Sequence, residues 1–116
     1  MIKQIFDVLS NNGFNVFLPS QHKGECTEPY VVVKLDGSVK DVSVSSERPI
    51  YTFMVYVPFN HYSILETMIF EIKKVLKTLY PAIMYAGNES TSYYDEEVNA
   101  HMVSFQYQGI RKIENF

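Results

Sequence analysis

His22 and Cys26 stand four residues apart in His-Lys-Gly-Glu-Cys. On a helix that spacing places two ligands on one metal ion. The segment holds Gly24 and has no apolar periodicity, so it reads as a loop. His61 and His101 would have to complete a site, and no spacing in the chain brings them there. Asp95, Glu96 and Glu97 form an acidic run beside Tyr93 and Tyr94. Paired carboxylates can move protons or hold a hard cation. This run is consecutive and flanked by polar residues, which is the pattern of a solvated loop. No nucleophile elbow, phosphate-binding loop or dinucleotide fingerprint occurs. The reading therefore assigns no catalytic, cofactor-binding or metal residue and expects no enzyme.

Composition narrows the remaining classes. The chain has 116 residues, 47% of them hydrophobic, enough for one domain with a single core. Its net charge is −3, and it has no basic cluster that would neutralise a run of phosphates. Its one cysteine gives no internal disulfide and suits a reducing compartment. The opening Met1–Leu9 is amphipathic and too short for a signal peptide. No apolar run approaches the roughly 20 residues that span a bilayer. Aromatic residues reach 15%, and tyrosine-rich surfaces favour contacts.

The elements that position these residues centre on Pro49–Tyr80. Tyr51, Phe53, Val55 and Val57 alternate with Thr52, Met54 and Tyr56, which makes a strand with one core face and one mixed face. A helix follows over 62–80. Leu65, Met68, Ile69, Ile72, Val75, Leu76 and Leu79 share a stripe, and Glu66, Lys73, Lys74 and Lys77 lie opposite. Ser63 and Glu66 have the spacing of a capping box, and Pro81 ends the helix. Phe70 breaks the pattern by projecting from the polar side. It is either a lone exposed aromatic or a contact with another subunit.

Upstream, Ile2, Ile5, Phe6 and Leu9 give a helix that Asn11-Asn12-Gly13 ends. Residues 15–18 form a short strand, Pro29 opens a strong strand, and Asp36-Gly37-Ser38 makes a turn. Residues 39–45 form a weak edge strand or an extended loop. Downstream, residues 82–86 form a short strand. Residues 87–99 are a polar loop or the tip of a long hairpin. Residues 100–110 make a half-buried strand with Val103, Phe105 and Tyr107 inward. The expected fold is α+β: a single four- to five-stranded, largely antiparallel sheet with two helices packed on one face.

The order of these elements resembles the tail terminator and tail-completion proteins of tailed bacteriophages. The resemblance is carried by NVFLPS, PYVVV, YTFMVYVP, the helix SILETMIFEIKKVLKTL and the final HMVSFQYQG. It implies a structural virion protein: a homo-oligomeric ring, usually a hexamer, that caps the tail tube and joins it to neck or connector proteins. DNA would pass through the ring without specific binding, and the acidic bias suits such a conduit. The protein would be made in the bacterial host cytoplasm and reside in the virion, with no membrane association, cofactor or enzymatic activity. Phe70, Tyr56 and Met54 are the candidate oligomer contacts. Asp95, Glu96 and Glu97 are the candidate channel- or tube-facing loop. A head–tail connector or neck protein, or a small ligand-binding or regulatory α+β module, are the alternatives. A concave apolar pocket with converging polar groups would favour the last.

Overall fold

The computed structural model describes residues 1–40 and 47–109. The fold is α+β, with two α-helices and a six-stranded mixed sheet. The elements are α1 (Ile2–Asn11), β1 (Val16–Phe17), β2 (Tyr30–Lys40), β3 (Glu47–Pro58), α2 (Leu65–Leu76), β4 (Ile83–Glu89), β5 (Tyr93–Asp95) and β6 (Ala100–Gly109). The strand order is β1-β2-β3-β6-β4, and β5 also pairs with β6. Every ladder is antiparallel except the short one between β1 and β2.

Strand alternation builds the core as the sequence reading expects. Tyr51, Phe53, Val55, Val57, Val103, Phe105 and Tyr107 are all buried in one cluster with Ile5 and Leu9 of α1 and Leu65, Ile72 and Leu76 of α2. Both helices thus cover the same sheet face. Phe53 and Phe105 face each other across the β3–β6 ladder, with ring centroids 5.4 Å apart. Cross-strand aromatic pairs of this kind fix register as well as burying area.

The end of α1 shows why residues 11–13 stop a helix. Gly13 takes φ +89°. Its N–H donates to Ser10 O at 3.1 Å, and the Phe14 N–H donates to Leu9 O at 3.2 Å. These are the paired bonds of a Schellman cap, which satisfy the last helical carbonyls. Phe14 then packs on the core, closing the cap with an apolar contact.

Several local expectations are corrected. Residues 36–38 are not a turn: β2 runs on to Lys40, with a bulge between Leu35 and Ser38 and Gly37 at φ +97°. A positive-φ glycine serves a bulge as readily as a turn. Ser63 caps nothing. A 3-10 turn over Tyr62–Ile64 precedes α2, and neither start carries a side-chain cap. The polar stretch 87–99 follows the hairpin alternative rather than the loop, since β4 and β5 both pair antiparallel with β6. It completes β4, forms β5 and ends in the turn at 96–99. The weak strand or loop expected over 39–45 begins inside β2, and its residues 41–46 lie outside the described residues, as does the tail 110–116.

Lys73 is also not simply solvated. It bridges from α2 to β4, pairing with Glu89 and lying 4.5 Å from the Tyr85 ring centroid and 5.1 Å from that of Phe105. A lysine reaches this far because its methylene stem covers apolar surface while its charge finds a partner.

Candidate interaction surface

The sheet has two open edges among the described residues. β1 covers only Val31 and Val32 of β2, so β2 has no outer neighbour from Val33 to Lys40. On the opposite side β4 has none from Ile83 to Glu89. Unpaired strand edges are templates for pairing with another chain. β2 and β4 run antiparallel to one another within the sheet, because β2, β3, β6 and β4 alternate in direction. A second copy continuing the sheet in the same orientation would therefore set β2 beside β4 as an antiparallel pair.

Phe70 is 64% exposed, on the outward side of α2 away from the core. Met54 and Tyr56 are half-buried on the sheet face opposite the helices. That face splits into two halves. One half is apolar: Tyr30, Cys26 and Ala100 are buried there, with Phe17, Val32, Tyr56 and Val98 packed around them. His22 stacks on Tyr30 with centroids 4.0 Å apart, and Tyr30 stacks on Tyr56 at 4.8 Å. Tyr56 is thus shared between a small core of its own and the surface.

The other half is a polar chain running across the strands. The Asn88 side chain donates to Gln106 Oε1 at 3.0 Å, Gln106 donates to Thr52 Oγ1 at 3.3 Å, and Thr52 donates to Asp36 Oδ2 at 3.0 Å. Lys34 sits 3.4 Å from the other Asp36 oxygen. The chain satisfies Thr52, which is buried on a face that neither helix covers.

The acidic run divides. Asp95 ends β5 and accepts the Glu97 N–H at 3.0 Å, while Glu96 and Glu97 are exposed in the following turn. The loop before β2 is tied to this turn. Cys26 N–H donates to Val98 O at 2.8 Å, and Asn99 Nδ2 donates to Glu25 Oε1 at 3.0 Å. Glu25 therefore joins Asp95, Glu96 and Glu97 at one end of the sheet, a grouping that residues seventy positions apart could not announce in sequence. Exposed aromatics flank it: Phe59, Tyr62 and Tyr94. His101 lies between Tyr62 and Tyr94, with centroids at 4.7 and 5.3 Å.

Burial acts on the titratable groups of the apolar half. It pushes the Cys26 thiol up to about 11, with Glu25 adding to the shift. Tyr30 and Tyr56 are raised chiefly by the same loss of water. Cys26 donates to Glu28 O at 3.3 Å. His22 and Cys26 thus sit in an aromatic and backbone setting. Among the described residues no three His, Cys, Asp or Glu side chains gather as ligands, and no helix is long and apolar enough to cross a membrane.

No family model and no curated protein matches the chain. Solved structures do share its architecture. One superposes with a TM-score of 0.53 at 13% identity, covering 98% of this chain and 96% of that one. Its name states no activity, and at that identity the likeness shows the fold alone.

Proposed function

We propose that this protein is a tail terminator subunit: it assembles into a ring that caps the tail tube of a phage or phage-like particle and joins it to the neck. The observation that carries the reading is the pair of open sheet edges on opposite sides of one small domain. A contact between two different patches repeats from copy to copy and closes into a ring when the rotation allows. Strand addition supplies main-chain hydrogen bonds for such a contact without any recognition motif. The order α1, β1, β2, β3, α2 with β6 last supports the same reading, because the segments that form these elements are those that resemble the terminator and tail-completion proteins.

The acidic end, with Glu25, Asp95, Glu96 and Glu97, suits a surface past which DNA slides, since anions repel phosphate. No step of chemistry is asked of any residue. The experiment is removal of the gene from the producing particle, followed by electron microscopy of the tails. Overgrown tails, or tails that fail to join heads, are expected. Tails of normal length, joined normally, would refute the terminator role.

A further inference from the structure

We propose that the end of the sheet where β5 approaches the start of α2 docks a basic, arginine-bearing segment of another protein. The seat begins in a cleft of about 320 Å3 walled by Tyr62. Leu65, Ile69 and Val103 give the cleft its apolar lining, and Glu66 and Glu89 bring carboxylates to it. Lys73 already engages Glu89, so Glu66 is the charge on offer. Glu66 stands in the first turn of α2, and its full charge exceeds the half charge of the helix start. An apolar wall, an aromatic rim and a carboxylate together suit arginine. Its methylene stem covers the wall while the planar guanidinium meets the ring and the acid.

The same chemistry continues outside the cleft. The Tyr62 hydroxyl lies 3.0 Å from Ser92 Oγ, and Tyr94 donates to Asn99 Oδ1 at 2.8 Å. These bonds hold both rings in place, so little freedom is lost when a partner covers them. Asn99 in turn donates to Glu25, which brings a carboxylate beside the Tyr94 ring. Residues 19–29, 58–64 and 93–99 build this end. They carry Glu25, Glu28, Asp95, Glu96 and Glu97 against one lysine, Lys23, and no arginine. Repulsion of DNA accounts for these carboxylates but not for the exposed Phe59, Tyr62 and Tyr94 among them. Rings beside carboxylates attract guanidinium and ammonium groups. Pairing through strand edges leaves this end of the sheet uncovered. Within the ring the partner is therefore an axial neighbour, and that part of the inference rests on the ring reading above.

The test titrates the full chain, at physiological salt, with the acetylated peptide Gly-Arg-Leu-Arg-Gly and with its counterpart Gly-Gln-Leu-Gln-Gly. Amide shifts in nuclear magnetic resonance spectra locate the contact. The arginine peptide should give saturable shifts at Tyr62, Glu66 and Tyr94, and the glutamine peptide none. Tyr62→Leu combined with Tyr94→Leu keeps apolar bulk and removes two aromatic faces. It should weaken binding roughly fivefold or more, the scale of two exposed cation–π contacts. Glu66→Gln should weaken it independently. All three side chains are exposed, so these variants leave the core intact. Shifts scattered over the whole acidic surface, equal binding of the two peptides, or a leucine variant that binds like the wild type would overturn the docking site. Tail length does not enter this titration, so the ring reading and the docking site can fail separately.

Discussion

Thr52 on β3 donates its hydroxyl proton to Asp36 on β2 at 3.0 Å, at the place where β2 bulges. The bond holds the irregular part of β2 to the regular strand beside it. Thr52 also accepts from Gln106, so one hydroxyl joins three strands. Thr52→Val keeps the shape and removes both bonds. It should cost about 1 kcal/mol, the usual net worth of a hydrogen bond. Urea unfolding of Thr52→Val, Asp36→Ala and the double variant measures the coupling, and fully additive losses would show that the bond is idle.

Ile72 and Leu76 have no exposed surface and carry the α2 side of the core. Either one replaced by alanine should lose about 2–5 kcal/mol, from lost burial plus the cavity left behind. Phe70→Ala on the same helix should change the stability of the isolated copy by less than about 0.5 kcal/mol. Chemical denaturation of the three variants checks which face of α2 is inward.

Gly13→Ala tests the cap of α1. A side chain added there meets open space, so only its φ of +89° resists. The left-handed conformation costs an L-residue roughly 1–2 kcal/mol. That loss should appear in the unfolding free energy while the native circular dichroism is unchanged.

Alkali should unfold the protein in order of its buried acids. The unfolded Cys26 thiol ionises at 9.0 and the native one at about 11. Between those values the unfolded state holds fewer protons, so stability falls as pH rises. Below 9.0 this contribution is fully present. Tyr107, raised from 10.0 to about 12 by burial and by Tyr85, adds a second decline beginning at 10.0. Lys73 runs in the same direction: burial lowers it, but the bond and charge of Glu89 raise it overall above 10.5. Denaturation midpoints measured across this range should drop from pH 9 upward in the wild type. In Cys26→Ala the drop should start later.

The strands and helices that bury one face were readable because their periods are. Phe53, Val55 and Val57 alternate on β3, and Ile72 and Leu76 recur along α2, so the inward set follows from period alone. What escaped depends on partners far along the chain. Glycine at 37 signals a positive φ but does not say whether a turn or a bulge uses it. β5 is three residues long and exists only because β6 lies beside it. Lys73 looked like part of the polar face of α2, yet Glu89 draws it down over Tyr85. Tyr56 reads as a surface ring until Tyr30 is placed against it. The groove between α1 and α2 combines Phe14, Pro29 and Met68, from three parts of the chain.

The position of β6 sets an order of assembly. It lies between β3 and β4, yet it is synthesised after every other strand of the described residues. The β2–β3 pairing is a local hairpin and can close early, with α1 and α2 resting on it. Among the described residues β4 and β5 have no other partner in the sheet, so they stay unpaired until β6 arrives. The late, non-local pairing of β3 with β6 slows folding and leaves the β3 edge open in the meantime. While β6 is missing, the β3 edge that will hold it is a vacant slot of the right width for a neighbour's strand. A nascent chain of this protein therefore meets its greatest hazard of exchanging strands with another copy just before its own sheet closes.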